Sequence, residues 1–131
     1  MRALILLVWL ALPIAAPAQG PGVFALRTML QDKNPEIRMK AAEGLGRIGG
    51  RQGIIILRQG LSDKSPTVRI AVVEALGFIG GRLSMTVLSE ALKDPSPQVR
   101  IRAVEALKDA GTVNSIPIIQ KAFGDKEESV R

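Results

Sequence analysis

Four copies of one charged motif contain the residues of this sequence whose types and spacing could do chemistry. Each copy begins with Asp and ends six residues later with Arg. The aspartates recur at one constant interval, at Asp32, Asp63, Asp94 and Asp125, and the arginines keep the same interval, at Arg38, Arg69, Arg100 and Arg131. A row of carboxylates could serve in general acid–base catalysis or in ligand binding.

A structural role for this motif is the better interpretation. An Asp just before a helix can accept hydrogen bonds from free backbone N–H groups, and its charge is favoured at the positive end of the helix. An Arg six residues later can reach a carboxylate in its own unit or in the adjacent one. An active site needs to occur only once, whereas repetition in every unit is typical of stacked repeats.

Each motif is predicted to begin the first helix of a helical hairpin. In unit one, Asn34 is expected to cap this helix, Pro35 to start it, and Gly49 and Gly50 to end it. Serines take the capping position in the next two units. Apolar residues at helical spacing predict one buried stripe per unit: Ile37, Ala41, Gly44, Leu45 and Ile48; Val68, Val72, Ala75, Leu76 and Ile79; Val99, Ala103, Ala106, Leu107 and Ala110.

The second helix of each unit is shorter. In unit one it is predicted over Gly53 to Gly60, and in unit three Pro117 is expected in its first turn. The inward-facing residues are predicted to be Ile54, Leu57 and Leu61, then Met85, Leu88 and Leu92, then Ile116, Ile119 and Phe123. Residues 22–31 parallel the second half of a unit.

These elements predict an all-α fold in which stacked hairpins share one continuous core, because no hairpin can bury its apolar face alone. We divide the sequence into a segment 1–18, a half repeat 22–31, repeats 32–61, 63–92 and 94–123, and the start of a further repeat at 125–131. The unit that begins with the fourth motif stops at Arg131, so we expect the repeats to continue in a longer chain. Ends without a polar capping repeat leave self-association as an alternative.

The N-terminal segment 1–18 matches the plan of a secretory signal peptide. Met1-Arg2 gives a positive start, Ala3 to Leu12 is an unbroken apolar run, and Ala16-Pro17-Ala18 is a small-x-small cleavage pattern. The run is shorter than the roughly 20 apolar residues that span a membrane. We expect cleavage after Ala18 and export to a bacterial periplasm or the extracellular space, with no transmembrane segment in the mature domain 19–131. The alternative is an uncleaved membrane anchor.

Composition excludes several kinds of chemistry. Among 131 residues there is no Cys, His or Tyr, which removes disulfides, thiolate chemistry, the commonest general base and the commonest metal ligand. The net charge of +6 suggests a polyanion as a partner, but scattered Arg and Lys also simply solvate helical surfaces. Because export separates the protein from genomic DNA, we expect no nucleic-acid partner.

The repeated motif resembles HEAT repeats. Asp63, the capping Ser65 and Pro66, Val68-Arg69, and the run from Ala75 to Gly80 are similar to the short HEAT-like class first noted in phycobilisome lyases. This resemblance covers residues 22–131 and implies a right-handed α-α superhelix with the second helices on its concave side. It also implies a ladder between repeats, here made of Asp32, Asp63, Asp94, Arg38, Arg69 and Arg100.

The second helices therefore supply the candidate partner-binding face. Its residues are Arg27, Ile55, Arg58, Gln59, Thr86, Ser89, Glu90, Pro117, Gln120 and Lys121. The predicted function is a non-enzymatic scaffold that binds a protein or peptide along this face. One alternative is an anionic partner (an acidic protein, anionic lipid or polyanion) held by Arg or Lys, and a lyase-like accessory protein is a weaker one.

An enzyme is the remaining alternative, because HEAT-like relatives include bilin lyases, a di-iron hydroxylase and DNA glycosylases that act on alkylated bases. The hydroxylase uses His and Glu ligands, and this sequence has no His. The glycosylases use aromatic base contacts, and residues 19–131 contain no Trp or Tyr. We therefore expect no enzymatic activity, no catalytic residue, no metal site and no cofactor.

Overall fold

The chain folds as a row of α-helices. The computed structural model describes residues 21–110, 115–120, 124–128 and 130. Those residues form helices and no strand, in the order α1 (Pro21–Met29), α2 (Pro35–Ile48), α3 (Gly50–Gly60), α4 (Pro66–Ile79), α5 (Gly81–Ala91), α6 (Pro97–Asp109) and α7 (Ile116–Gln120). The all-α fold predicted from the sequence is confirmed.

The first helices α2, α4 and α6 each start on a proline, as predicted. At the start of α2 the Asn34 side chain accepts a hydrogen bond of 2.9 Å from the Glu36 N–H, which confirms it as the cap. Ser65 and Ser96 occupy the N-cap positions of α4 and α6, as predicted, but neither hydroxyl accepts a hydrogen bond from a backbone N–H of its helix. The Ser96 hydroxyl donates instead to Gln98 Oε1 at 3.0 Å. An aspartate two residues earlier already holds each serine N–H, at 2.9 and 2.8 Å, and so fixes the turn.

Paired glycines reverse the chain between the helices of a hairpin. Gly49 and Gly50 have φ angles of 69° and 73°, and Gly80 and Gly81 have 66° and 80°, a left-handed region that favours glycine. Because the reversal takes only these residues, α3 begins at Gly50 and not at the predicted Gly53.

The helices stack in two rows. The first helices α2, α4 and α6 pack directly against their neighbours, and α3 and α5 each pack against the first helix of their own hairpin. The helix α1, which precedes the first full hairpin in the sequence, packs against α2. Glycines allow the first helices to approach closely, since a Cβ added to Gly46 would lie 3.0 Å from the Ala75 Cβ, and one added to Gly77 would lie 2.9 Å from the Ala106 Cβ.

The core repeats with the sequence. Leu45, Leu76 and Leu107 occupy the same place in successive units and are fully buried, as predicted. Ile56 and Val73 are also buried although they lie outside the predicted stripes. Each inner hairpin is covered by a neighbour on both sides, so its helices bury more than one stripe.

Two residues of the predicted stripes face solvent instead. Ile48 is 51% exposed and Ile116 is 53% exposed. Among the described residues only α1 covers the outer side of α2, and α7 is a short helix at the far end of the row. Burial at these positions thus depends on a neighbouring repeat, and Phe123, predicted to face inward, lies outside the described residues.

Candidate functional site

The Asp and Arg residues of the motif form bridges between successive repeats. Arg38 donates through Nε and Nη2 to the two carboxylate oxygens of Asp63, at 2.7 and 3.0 Å. Arg69 binds Asp94 in the same way at 2.8 and 3.0 Å. Arg100 continues the series at 2.7 and 3.2 Å, to the carboxylate of Asp125. Each of these three arginines therefore reaches the aspartate of the next unit, in a bidentate geometry.

The ladder residues also bind the backbone around the helix starts. The Nη1 atom of Arg69 donates to the Asp63 carbonyl at 2.7 Å, and that of Arg100 donates to the Asp94 carbonyl at 2.7 Å. Asp63 and Asp94 each accept a serine N–H besides their arginine, so neither carboxylate presents an unbound oxygen to a ligand. Asp32 accepts from the Asn34 N–H at 2.8 Å, and its side chain has no arginine partner among the described residues.

The surroundings of the ladder shift the pKa of its groups. Burial acts to raise the pKa of Asp63, but hydrogen bonds from Arg38 and from the Ser65 N–H together hold it below the ordinary value. At Asp125 the Glu127 N–H and then Arg100 lower the pKa of the carboxyl. The Asp63 hydrogen bond raises the pKa of Arg38. These carboxylates are thus held ionised, which suits an ion pair.

The second-helix face is exposed along most of its length. Arg27, Arg58, Gln59, Thr86, Glu90, Pro117 and Gln120 are exposed, Ser89 is half-buried, and Lys121 lies outside the described residues. Arg58 and Glu90, on the second helices of adjacent repeats, form an ion pair. Arg58 Nη2 lies 2.8 Å from Glu90 Oε1, and Arg58 Nε lies 3.2 Å from Glu90 Oε2. The structure therefore brings Arg58 and Glu90 together and leaves Arg27 without an ion pair among the described residues.

One residue of this face was missed by the sequence analysis. Phe24 on α1 is 73% exposed and lies one repeat period before Ile55, which is 44% exposed. The two side chains occupy equivalent positions on α1 and α3, and the predicted row began only at Ile55. The repeat period contained this signal, since extending the row one unit towards the N-terminus leads to Phe24.

A second surface, also missed, lies on the first helices. Two adjacent depressions, of about 240 and 330 Å³, flank Phe78 on α4, one beside α2 and the other beside α6. We call them together the Phe78 groove, whose charged and aromatic lining includes Glu43, Glu74, Phe78, Arg102, Glu105 and Asp109. The sequence signal was the recurrence of Glu43, Glu74 and Glu105 at the repeat period, on helices that we had assigned only to the core.

Comparison with protein families identifies the fold. A family described as HEAT repeats matches residues 23–93, more than half of the chain, and a second match described as HEAT repeat covers residues 85–112. This chain belongs to the HEAT-repeat family. The predicted resemblance is confirmed in that respect, whereas the signal peptide lies outside the described residues and stays a prediction.

A solved structure of human deoxyhypusine hydroxylase in complex with glycerol is similar to this HEAT-repeat chain. The two share 29% sequence identity with a TM-score of 0.74, over 88% of this chain and 41% of the hydroxylase chain. The HEAT-repeat chain thus spans less than half of the length of that enzyme. A search of curated proteins found no match.

This similarity corrects the expectation that the chain is not an enzyme. The expectation was wrong, because an enzyme has the same fold at 29% identity. A HEAT-like stack with few catalytic residue types is therefore not evidence against activity. Function is decided by sites placed on a fold and not by the fold itself.

The described residues contain neither a metal-binding cluster nor a membrane-spanning helix. In that part of the chain, no group of three or more His, Cys, Asp or Glu side chains lies close enough together to hold a metal ion. Among the same residues, no helix is long and apolar enough to cross a membrane.

Proposed function

We propose that this HEAT-repeat chain binds a protein or peptide partner along its second-helix face. The observation that carries the proposal is the exposed apolar pair Phe24 and Ile55, which occupies one row on α1 and α3 and is 73% and 44% exposed. Extended helical surfaces of repeat proteins commonly serve as binding surfaces. Apolar side chains at the centre with polar ones around them form the usual plan of a protein interface.

Charged groups beside this row indicate how the partner would be oriented. Arg27 lies on α1 next to Phe24, and the bidentate pair of Arg58 and Glu90 lies beside Ile55. Arg27 has no ion pair among the described residues, so it is available to a partner carboxylate. The proposed partner segment therefore combines apolar side chains with at least one acidic group.

Site-specific photo-crosslinking in cells tests the proposal. A photoreactive phenylalanine analogue replaces Phe24 or Ile55, and Thr67, exposed on the first turn of α4, is the control position. We expect a discrete adduct from positions 24 and 55 and none from position 67. Equal labelling from all three positions, or none from 24 and 55, would refute the proposal.

The salt dependence of binding separates this function from the anionic-partner alternative. Arg51 and Arg82 are exposed and, like Arg27, form no ion pair within the described part of the chain. A partner held mainly by arginines would lose affinity steeply as salt rises, whereas apolar contacts with Phe24 and Ile55 would keep most of it. The partner captured by crosslinking is the ligand for this measurement.

The similarity to deoxyhypusine hydroxylase favours a second candidate function, as part of a HEAT-repeat enzyme of that kind. This sequence has no His, so its own residues do not fit the metal site of such an enzyme, and the His ligands would be supplied by another part of it. The 29% identity across 88% of this chain is the supporting observation. The test is to incubate the full gene product with a protein carrying deoxyhypusine and to measure hydroxylation by mass spectrometry. No product under conditions in which the human enzyme is active would remove this candidate.

We also propose that the protein is exported, with residues 1–18 as the signal peptide. Cell fractionation should place the mature protein outside the cytoplasm, and sequencing of its N-terminus should begin at Gln19. Trp9 is the single Trp of the sequence, so cleavage should also remove indole absorbance. A cytoplasmic product that retains Trp9 would refute export.

A further inference from the structure

The Phe78 groove lies on the first helices and is separate from the proposed binding face on the second helices. Phe78 is 77% exposed, more than any other large apolar side chain in the described part of the chain. Its neighbours on the groove floor are small, namely Gly46, Ala75 and Ala106, because the first helices approach closely there. The aromatic ring thus stands above a shallow floor and is open to contact on both sides.

Charge distinguishes this groove from the rest of the molecule. Four carboxylates line it, against two guanidinium groups, those of Arg47 and Arg102, so its net charge is −2. The whole chain carries +6. A locally acidic surface on a basic protein attracts cations that the remaining surface repels.

The groove carboxylates are only partly neutralised. Arg102 is shared between Glu74 at 3.1 Å and Glu105 at 3.0 Å, which leaves this cluster with a net negative charge. Asp109, on the α6 side of Phe78, and Glu43, on the α2 side, form no ion pair among the described residues. Arg47 lies on the α2 side and also has none, so the α6 side is the more acidic half.

An exposed aromatic ring flanked by carboxylates is a binding site for cations. A Lys ammonium or an Arg guanidinium over the face of a ring is attracted by its quadrupole. The same cation next to Asp109 or Glu105 also gains a charge-assisted hydrogen bond. Both contributions are available at Phe78, and an anionic segment would gain neither.

We propose that the Phe78 groove binds a cationic peptide segment, with one Lys or Arg side chain stacked on Phe78 and others facing Asp109 and Glu43. The groove is a second binding surface of the protein, independent of the proposed function on the second-helix face. Its occupant is a partner chain, since a basic segment complements the acidic lining of the groove, which is strongest on the α6 side of the ring.

The experiment measures binding of labelled peptides to the full chain by fluorescence anisotropy. One peptide carries Lys and Arg around a central Leu, and a matched peptide replaces every Lys and Arg with Glu. We expect the cationic peptide to bind at least about tenfold more tightly than its acidic counterpart, with affinity falling as salt rises. Equal affinity, tighter binding of the acidic peptide, or no binding of either would overturn the proposal.

Variants locate the binding on the groove. Asp109→Asn should weaken binding of the cationic peptide about two- to fivefold, and Phe78→Leu, which keeps an apolar side chain but removes the ring, should do so by a similar factor. Glu36→Gln, on an exposed residue outside the groove, should have no effect. Because all three side chains are exposed, the variants should fold, which far-ultraviolet circular dichroism checks.

Two outcomes separate this proposal from others. If Glu36→Gln weakens binding as much as Asp109→Asn, the peptide senses general charge and the groove assignment is wrong. If analytical ultracentrifugation shows a dimer that Phe78→Leu abolishes, a second copy of the chain occupies the groove and the peptide proposal is overturned. Neither result affects crosslinking from positions 24 and 55. The proposed function of the second-helix face is therefore tested independently of the Phe78 groove.

Discussion

Loss of one ladder arginine should destabilise the stack far more than loss of a surface arginine. Arg69 and Asp94 form a bidentate pair whose side chains are only 11% and 6% exposed. Replacing Arg69 by Met keeps much of the side-chain volume but leaves the Asp94 carboxylate nearly buried without its counter-ion. Breaking a buried pair in this way costs about 3–5 kcal/mol, and the bond from Arg69 to the Asp63 carbonyl is lost as well.

The matched control is Arg102→Met. Arg102 pairs with Glu74 and Glu105, but these side chains are about half exposed, at 50% and 52%. Exposed pairs contribute roughly 0–1 kcal/mol. The two variants thus remove the same functional group from neighbouring helices, and their difference isolates the effect of burial.

Urea unfolding followed by far-ultraviolet circular dichroism measures the difference. Helical signal is the suitable probe, because the sequence has no Tyr and its one Trp lies outside the described residues. The double variant Arg69→Met with Asp94→Asn should recover part of the loss, since it also removes the uncompensated charge. If Arg69→Met lowers the free energy of unfolding no more than Arg102→Met does, the reasoning about the ladder is wrong.

Three further predictions concern acid, close packing and the core. The pKa of Asp63 is lowered in the folded state, so its contribution to stability is present above the ordinary Asp pKa of about 4 and is lost as pH falls through the folded value. The urea midpoint of unfolding should therefore decline below about pH 4, and it should decline less in Asp63→Asn. Gly46→Ala should lower the free energy of unfolding by about 1–3 kcal/mol, because the new Cβ would lie 3.1 Å from the Ala75 Cα. Leu76→Ala should cost about 2–5 kcal/mol, as it empties a fully buried site.

Controls decide these three predictions. Acid unfolding that is the same in Asp63→Asn and in the parent chain would show that this carboxylate does not contribute. Gly22→Ala places a Cβ at an ordinary 3.6 Å from Ile48 Cδ1, so it should be neutral or slightly stabilising, and an equal loss at Gly22 and Gly46 would contradict the packing argument. A change below about 1 kcal/mol for Leu76→Ala would contradict its place in the core.

Much of the fold could be predicted because its signals are local and repeated. Pro at the first position and paired Gly at the end mark a helix through backbone geometry alone, and the predicted starts of α2, α4 and α6 coincide with Pro35, Pro66 and Pro97. A single such pattern is weak evidence for a helix, but the same pattern occurs in three successive units, so the three copies support one another. The missing serine side-chain caps could not be predicted, because Asn34, Ser65 and Ser96 hold the same position in their units and only Asn34 turns its side-chain oxygen to a helix N–H.

The candidate surfaces were predictable only in part. The second-helix row from Ile55 to Pro117 followed from the repeat period, and the same period extends to Phe24. For the Phe78 groove the repeat period gave only the recurring Glu43, Glu74 and Glu105, because Phe78 itself replaces Arg47 and Asp109 of the neighbouring units and has no repeated counterpart. The close approach of α2, α4 and α6 that forms the groove floor is a tertiary feature, which no single helix determines.

By itself the sequence determined the constant repeat period, the helix starts and the leucines at the centre of each unit. It left open whether each arginine binds the aspartate of its own unit or of the next. Only the tertiary structure decided this, because stacking places Asp63 within 2.7 Å of Arg38. It also decided that Ile79 is partly buried whereas Ile48, at the same repeat position, is 51% exposed. The physical reason is that burial and ion pairing depend on contacts between neighbouring repeats, whereas helix starts and ends depend on the backbone geometry of residues within one repeat.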